Sequence, residues 1–387
     1  MNLGYTEEEE RFRAELRSFL EANVPRDEAP EDLDDEFDWL RAFQRRMHAG
    51  GWVGIHWPAE YGGRGATPMQ QAIFAEEMAR ARAPQLVNRV GINNVGPTLM
   101  HFGTEDQKRR FLPGILSADE IWCQLYSEPD AGSDLAAIRT RADLDGDSFV
   151  VSGQKVWTSY AQHARWAILL ARTDPAARKH RGISYLVVDM TAPGIEIRPL
   201  WQLTGAAEFN EVFLDHVRVP RAHLIGDLNE GWKISQVTLA HERGTNFAIK
   251  EQVLARIVVD ELRDLARARG RVCDDVVRQG IARLHTETEI MRFMNLGMLT
   301  RLGRGELPGA ESSIVKTFWA DLTQGLGDFS FELLGPHAVL LRGSEHAVGG
   351  GRFAQQMLFS RAASIAGGTS EVQRNIIAQR LLGLPRD

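Results

Sequence analysis

Cysteine is nearly absent from this chain of 387 residues: only Cys123 and Cys273 occur, far apart. Two such residues build neither a disulfide framework nor a thiolate metal site. Basic charge is also short, with 45 Lys and Arg against 52 Asp and Glu, a net charge of -7. That balance argues against nucleic acid as a partner, and any site for an anionic ligand must be built from a few placed basic residues. Long apolar runs are missing; the longest, Trp166 to Ala171, is far too short to cross a bilayer. No histidine pair has helical i, i+4 spacing with an acid nearby, so no metal is expected. No Gly-x-Ser-x-Gly elbow exists for a serine hydrolase. No strand–GxGxxG–helix unit exists either, and the Gly349-Gly350-Gly351 run lacks that setting. Met1 to Glu10 carries four consecutive glutamates and no apolar stretch, which is not a secretory signal, so the cytoplasm is the expected compartment.

What is present is an ordinary globular composition, 43% hydrophobic and 25% charged, in a chain long enough for two or three domains. No internal repeat is visible. From Thr6 to about Leu116 the texture is helical. Thr6 is a candidate N-cap followed by Glu7 to Glu10, Thr67-Pro68 a second cap, and Thr104 with Gln107 a capping box. The glycine- and aromatic-rich stretch Trp52 to Gly65 reads as a connector. From about Ile121 to Pro220, short β-rich runs replace the helical period: Ile121–Tyr126, Phe149–Val151, Trp166–Ala171, Ile183–Asp189 and Glu211–Val219. Asp145-Gly146, Ser152-Gly153 and Pro193-Gly194 read as turns between them. Helices return with Trp232–Ala268, Val276–Gly303, Glu311–Leu334 and Ser370–Leu382. The expected fold is α+β and multi-domain. An N-terminal helical domain (1–120) is followed by a middle β-barrel domain (121–230) and a C-terminal four-helix bundle (231–387).

Two segments of the middle zone carry the chemistry: Leu125-Tyr126-Ser127-Glu128-Pro129-Asp130-Ala131-Gly132-Ser133-Asp134 and Ser152-Gly153-Gln154-Lys155-Val156-Trp157-Thr158-Ser159. Singly, each is a polar turn or a packed aromatic strand as often as a ligand site. In this order and spacing, within three zones of this kind, they resemble the flavin-holding strands of the acyl-CoA dehydrogenase family over essentially the whole chain. The match departs from the family at Leu125 and Tyr126, where a small and an aliphatic residue are common. The resemblance implies non-covalent FAD. Gln124, Tyr126, Ser127 and Gly132 would meet the ring's polar edge. Trp157 and Ser159 would flank the ring, and Thr369 and Glu371, at the start of the last helix, would meet the ribityl and pyrophosphate portion. Ser133 would lie on the substrate side.

The implied reaction removes an α-proton from an acyl thioester while hydride leaves Cβ for the flavin, giving a trans-2-enoyl product. A carboxylate base with a raised pKa and donors for the thioester oxygen are required. Many family members place that glutamate before a Gly-Thr pair; here the position is Gly367, which keeps only its N–H for the thioester carbonyl. A second subgroup carries the base on the first long C-terminal helix, where this chain reads Leu239-Ala240-His241-Glu242-Arg243-Gly244. Glu242 is therefore the expected catalytic base and Arg243 the expected CoA contact, although an arbitrary Glu-Arg on a helix usually faces solvent.

In the family each flavin is completed by a neighbouring subunit. Here the corresponding segments, Arg267-Ala268-Arg269-Gly270-Arg271 with Ala266 at the usual arginine, and Glu332-Leu333-Leu334-Gly335-Pro336, are both degraded. A homotetramer and a heterotetramer with a related chain are both expected forms. The expected substrate is an acyl-CoA or an acyl carrier protein thioester, with an electron-transfer flavoprotein as acceptor and a place in lipid β-oxidation. Two alternatives share the fold: a flavin oxidase or monooxygenase, and a non-catalytic subunit of a heteromer.

Overall fold

The structure is a computed structural model. It describes residues 4–242, 245–306 and 309–385, and the side chains of residues 240–242, 245 and 246 lie outside the description. Five helices come first: α1 (Glu7–Asn23), α2 (Leu33–Ala49), α3 (Pro68–Arg80), α4 (Gly96–Phe102) and α5 (Glu105–Leu116). Eight strands follow: β1 (Trp122–Leu125), β2 (Arg141–Asp145), β3 (Ser148–Ser159), β4 (Trp166–Arg172), β5 (Ile183–Asp189), β6 (Ile195–Leu200), β7 (Phe209–Pro220) and β8 (Leu224–Ile225). Among the described residues six helical segments close the chain: α6 (Gly231–Glu242), α7 (Thr245–Ala268), α8 (Asp275–Gly303), α9 (Ser312–Leu334), α10 (Arg352–Ser360) and α11 (Ser370–Ile376). No helix among the described residues is long and apolar enough to cross a membrane. Nor do they hold a group of three or more His, Cys, Asp or Glu able to bind a metal ion.

The expected caps are in place. Thr6 Oγ1 accepts from Glu9 N–H (3.2 Å) while Glu9 reaches back to Thr6 N–H (2.7 Å). Thr67 with Gln70 and Thr104 with Gln107 form full capping boxes, each satisfying donors that a helix start otherwise leaves orphaned.

The contacts divide the chain into two compact units. One contains residues 4–22, 67–83 and 245–385, hence α1, α3 and α7 to α11. Its core comes from apolar residues at helical spacing: Ala255, Val259, Leu262 and Ala266 on α7, Val277, Leu284 and Met291 on α8, and Leu322, Leu326, Phe329 and Leu333 on α9. Within the same unit α1 and α3 are joined through Glu77, which accepts from Arg13 (2.8 Å) and in a fork from Arg17 (2.8 and 2.9 Å). Helix α10 was not foreseen. It is nine residues long and starts after three glycines at positive φ, which hid it in a segment that reads as loop.

The other unit, residues 23–66 and 84–242, holds the sheet. Its strands run β6-β7-β3-β2-β4-β5-β8, with β1 parallel to β4. One face of β1 to β5 and β7 points into a shared core that includes Leu125, Phe149, Val151, Leu169, Leu186, Val212 and Val219. Strands from both halves of the path thus cover one interior, as barrel-like sheets do. Strand β4 is buried on both faces. Trp166 packs edge-on against Phe111 of α5 (5.1 Å), beside Trp122 of β1.

Ser152-Gly153 corrects the sequence reading. It is not a turn but lies inside β3, at a register shift against β7. A Cβ on Gly153 would come within 2.4 Å of Thr140 Oγ1, so glycine marks a close strand approach here. Strands β2, β6 and β8 also escaped notice, being exposed at half or more of their positions or only two residues long. The described parts of the stretch read as helical from Trp232 to Ala268, α6 and α7, are helical, and residues 243 and 244 between them lie outside the described residues.

Candidate active site

The two chemistry-bearing segments meet in the sheet unit. Val156 N–H donates to Ser127 O (2.9 Å), setting Tyr126-Ser127 beside Val156-Trp157. Ser127 and Ser159 are half-buried, and Gly132 and Ser133 are exposed in the turn after β1. Trp157 is 61% exposed, the ring edge-on to Phe209 at 6.1 Å. Its φ of +61° is a conformation that bulky residues rarely adopt. The cause is a bulge: pairing of β3 with β7 slips between Lys155 and Thr158. Two residues apart on a regular strand, Lys155 and Trp157 would face the same side. The bulge turns the indole outward while Lys155 stays fully buried.

Tyr126 turns its side chain inward. Its ring is 3% exposed and packs edge-on against Tyr185 at 6.2 Å, so its contribution at the surface is main-chain. Gln124 Oε1 accepts from Asn94 (3.0 Å), and Asn94 O accepts from Thr98, whose hydroxyl bonds Thr238 Oγ1 at 2.9 Å. Thr238 lies on α6, one turn before Glu242, and Tyr185 OH is 3.3 Å from it. Burial pushes Tyr185 up to about 12, so it remains a neutral hydroxyl. Asn94, Thr98 and Thr238 were not foreseen; no local pattern marks residues that meet only through the fold.

Beneath the two segments lies a buried ion pair. Lys155 Nζ donates to Glu128 Oε1 (2.9 Å), Tyr126 O (3.0 Å) and Leu170 O (2.9 Å). Glu128 also accepts from the N–H groups of Arg139 (2.6 Å) and Thr140 (2.9 Å). Burial pushes the Glu128 carboxyl up, but the Lys155 charge and the Thr140 and Arg139 bonds outweigh it and hold the group below the ordinary value. Burial pulls Lys155 down to about 8, against the attraction of Glu128. Both residues stand in the quoted segments, and a lysine within a β-rich run was the available signal.

Glu242 ends α6 as described, with its side chain outside the described residues; Arg243 lies outside them altogether. In the helical unit, Thr369 caps α11 by accepting from Val372 N–H (3.3 Å), and Glu371 is exposed in its first turn. Gly367 is exposed at φ +66°, with open space where a Cβ would stand. The two degraded segments touch each other: Arg269 donates to Leu334 O (3.2 Å). Ala266 is fully buried in the helical core.

The ledge fits a flavin. An exposed indole offers an apolar wall, the half-buried Ser127 and Ser159 stand in the same two segments, and Gly132 leaves open space for close backbone approach. Helices, a sheet and helices, with such a ledge on the sheet, define a flavoprotein oxidoreductase.

Sequence patterns narrow the class. Those of the acyl-CoA dehydrogenase N-terminal, middle and C-terminal domains match residues 6–119, 123–217 and 229–382. The chain belongs to the acyl-CoA dehydrogenase family. It is 41% identical to acyl-CoA dehydrogenase IpdE1 of Mycobacterium tuberculosis, over 98% of either chain. Among solved structures, the ChsE4-ChsE5 complex from Mycobacterium tuberculosis matches at 36% identity and a TM-score of 0.88, over 100% of both chains. The Tcur3481-Tcur3483 steroid ACAD matches at 34% identity and a TM-score of 0.88, again over 100% of both.

Proposed function

We propose that the protein oxidises the Cα–Cβ bond of a bulky, steroid-derived acyl-CoA to the trans-2-enoyl-CoA, with Glu242 as base. The observation that carries the base assignment is Gly367: the family's usual glutamate position holds a glycine, and Glu242 lies in the helical stretch on which the other subgroup carries its base. FAD, when bound, supplies the acceptor for the electron pair. The chain's residues do the rest. Ser127 and Ser159 hold the ring's polar edge, Trp157 walls it from water, and Thr369 and Glu371 hold the ribityl and pyrophosphate portion. Ser133 and Arg243 bind the substrate, and the Gly367 N–H holds the thioester oxygen as the α-proton passes to the Glu242 carboxylate.

The steroid-derived substrate is supported by the steroid ACAD among the structural neighbours. Neighbours named for two different chains also support assembly with a related chain; the form proposed is a heterotetramer, and the proposed acceptor is an electron-transfer flavoprotein. A screen of flavin-loaded protein against straight-chain, branched and steroid side-chain CoA thioesters, with an artificial acceptor, tests this reading. Turnover of the steroid thioester is expected; turnover of straight-chain substrates alone would contradict it. Reoxidation by oxygen as fast as by the acceptor would favour the oxidase reading instead.

A further inference from the structure

We propose that Lys155 acts on the flavin through the Tyr126–Ser127 peptide, as a buried cation that makes the Ser127 N–H a stronger donor. The proposal rests on the reading of Ser127 as a flavin contact. The three protons of the Lys155 ammonium meet three acceptors, and one of these is the carbonyl of Tyr126. That carbonyl and the Ser127 N–H belong to one planar, resonance-coupled group. A cation bound at its oxygen draws density from the nitrogen, and hydrogen bonds in such a chain strengthen one another in a low dielectric. Ser127 is held in place from its other side by Val156 N–H, so the polarised donor is also fixed in direction.

A structural role alone leaves the choice of charge unexplained. A neutral donor would satisfy the Tyr126 carbonyl, and well-packed apolar residues commonly replace a buried ion pair at no cost in stability. Here the pair is buried, with Lys155 0% and Glu128 7% exposed. Glu128 keeps the ammonium in place while its own charge is turned to the Arg139 and Thr140 N–H groups. The net effect at Ser127 favours whichever form of the ring carries more negative charge, which is the reduced one. Lys155 is thus a positioning residue: it touches neither substrate nor ring.

The test removes both charges together, because deleting one partner strands the other. In the FAD-loaded Lys155→Met/Glu128→Gln protein, reduction should become about tenfold less favourable, a fall in midpoint potential of about 30 mV. The far-UV spectrum of the flavin-free form should stay near wild type, while its melting temperature falls, because methionine offers no donor to the Tyr126 and Leu170 carbonyls. A folded, FAD-loaded double variant with the wild-type potential would overturn the proposal. If that variant does not fold, 15N NMR of the lysine side chains decides on the wild-type protein, which has six lysines. A protonated Lys155 resonance that moves on flavin reduction supports the proposal; a neutral amine at pH 7, or one indifferent to reduction, overturns it. Wild-type protein that takes up no FAD would overturn the flavin reading itself, and this proposal with it.

Discussion

Thr98 and Thr238 share a buried hydrogen bond of 2.9 Å, which ties the start of α4 to α6 one turn before Glu242. Thr238→Val keeps the shape but takes one hydrogen-bond partner from Tyr185 and one from Thr98, which keeps Asn94 O. Unfolding in urea should show a loss of about 1–2 kcal/mol, the cost of losing buried hydrogen bonds. An unchanged midpoint would mean that the hydroxyl contributes nothing.

Trp157 sets stability against ligand binding. At φ +61° and 61% exposed, it occupies a backbone conformation suited to glycine and gives up little burial. Trp157→Gly should leave the flavin-free protein as stable as wild type or up to ~1 kcal/mol more so. FAD affinity, followed by flavin fluorescence, should fall at least about tenfold, the equivalent of ~1.4 kcal/mol of lost ring packing. Equal affinity in the variant would remove Trp157 from the site.

Glu77 gives the helical unit a pH dependence with a defined sign. Burial pushes its carboxyl up, but the bonds from Arg17 and Arg13 outweigh that and hold it below the ordinary value. A carboxylate depressed on folding contributes stability that is complete above the unfolded value, near ~4.3, and lost as pH falls through the folded one. Glu77→Gln should therefore cost about 2 kcal/mol at pH 7. Its stability should decline less steeply than wild type's below pH ~4. Parallel acid-unfolding curves for the two proteins would contradict the assignment.

Two thiols should react differently. Burial pushes Cys123 far above its ordinary value, while Cys273 is exposed. A chromogenic disulfide should modify one thiol quickly in native protein and two in denaturant. Two fast thiols in the native state would show that the β1 core opens readily.

Much of this was legible in the sequence, because caps, strands and long amphipathic helices are set by neighbours within one or two turns. Thr6, Thr67 and Thr104 announce their helices through residues three positions on. The strand β4 announces itself as an apolar run. What stayed hidden depends on distant partners. Gly153 reads as a turn residue until Thr140 is placed against it. Lys155 gains its role only when the fold brings Glu128 and two carbonyls around it. Ala266 reads as a missing arginine, yet it is a core residue of α7. Thr98 and Thr238 are 140 positions apart, and nothing local to either points to the other.

Gly367 offers a second route to the base. Its Cβ direction is open, but φ +66° opposes any L side chain. Gly367→Glu should therefore cost about 1–2 kcal/mol of backbone strain. In a Glu242→Gln background it should restore part of the lost reductive rate, since it returns a carboxylate to the family's other base position. No recovery in a folded, FAD-loaded double variant would place the substrate's α-carbon out of reach of position 367.

The most direct measurement is stopped-flow bleaching of bound FAD by the best thioester from the screen, in wild type and in Glu242→Gln. Glutamine keeps size and hydrogen bonding but cannot accept the α-proton. With flavin content, folding and substrate affinity near wild type, the bleaching rate should fall by at least ~100-fold. An unchanged rate in Glu242→Gln would contradict its role as base and return it to the solvated helix face where such residues usually lie.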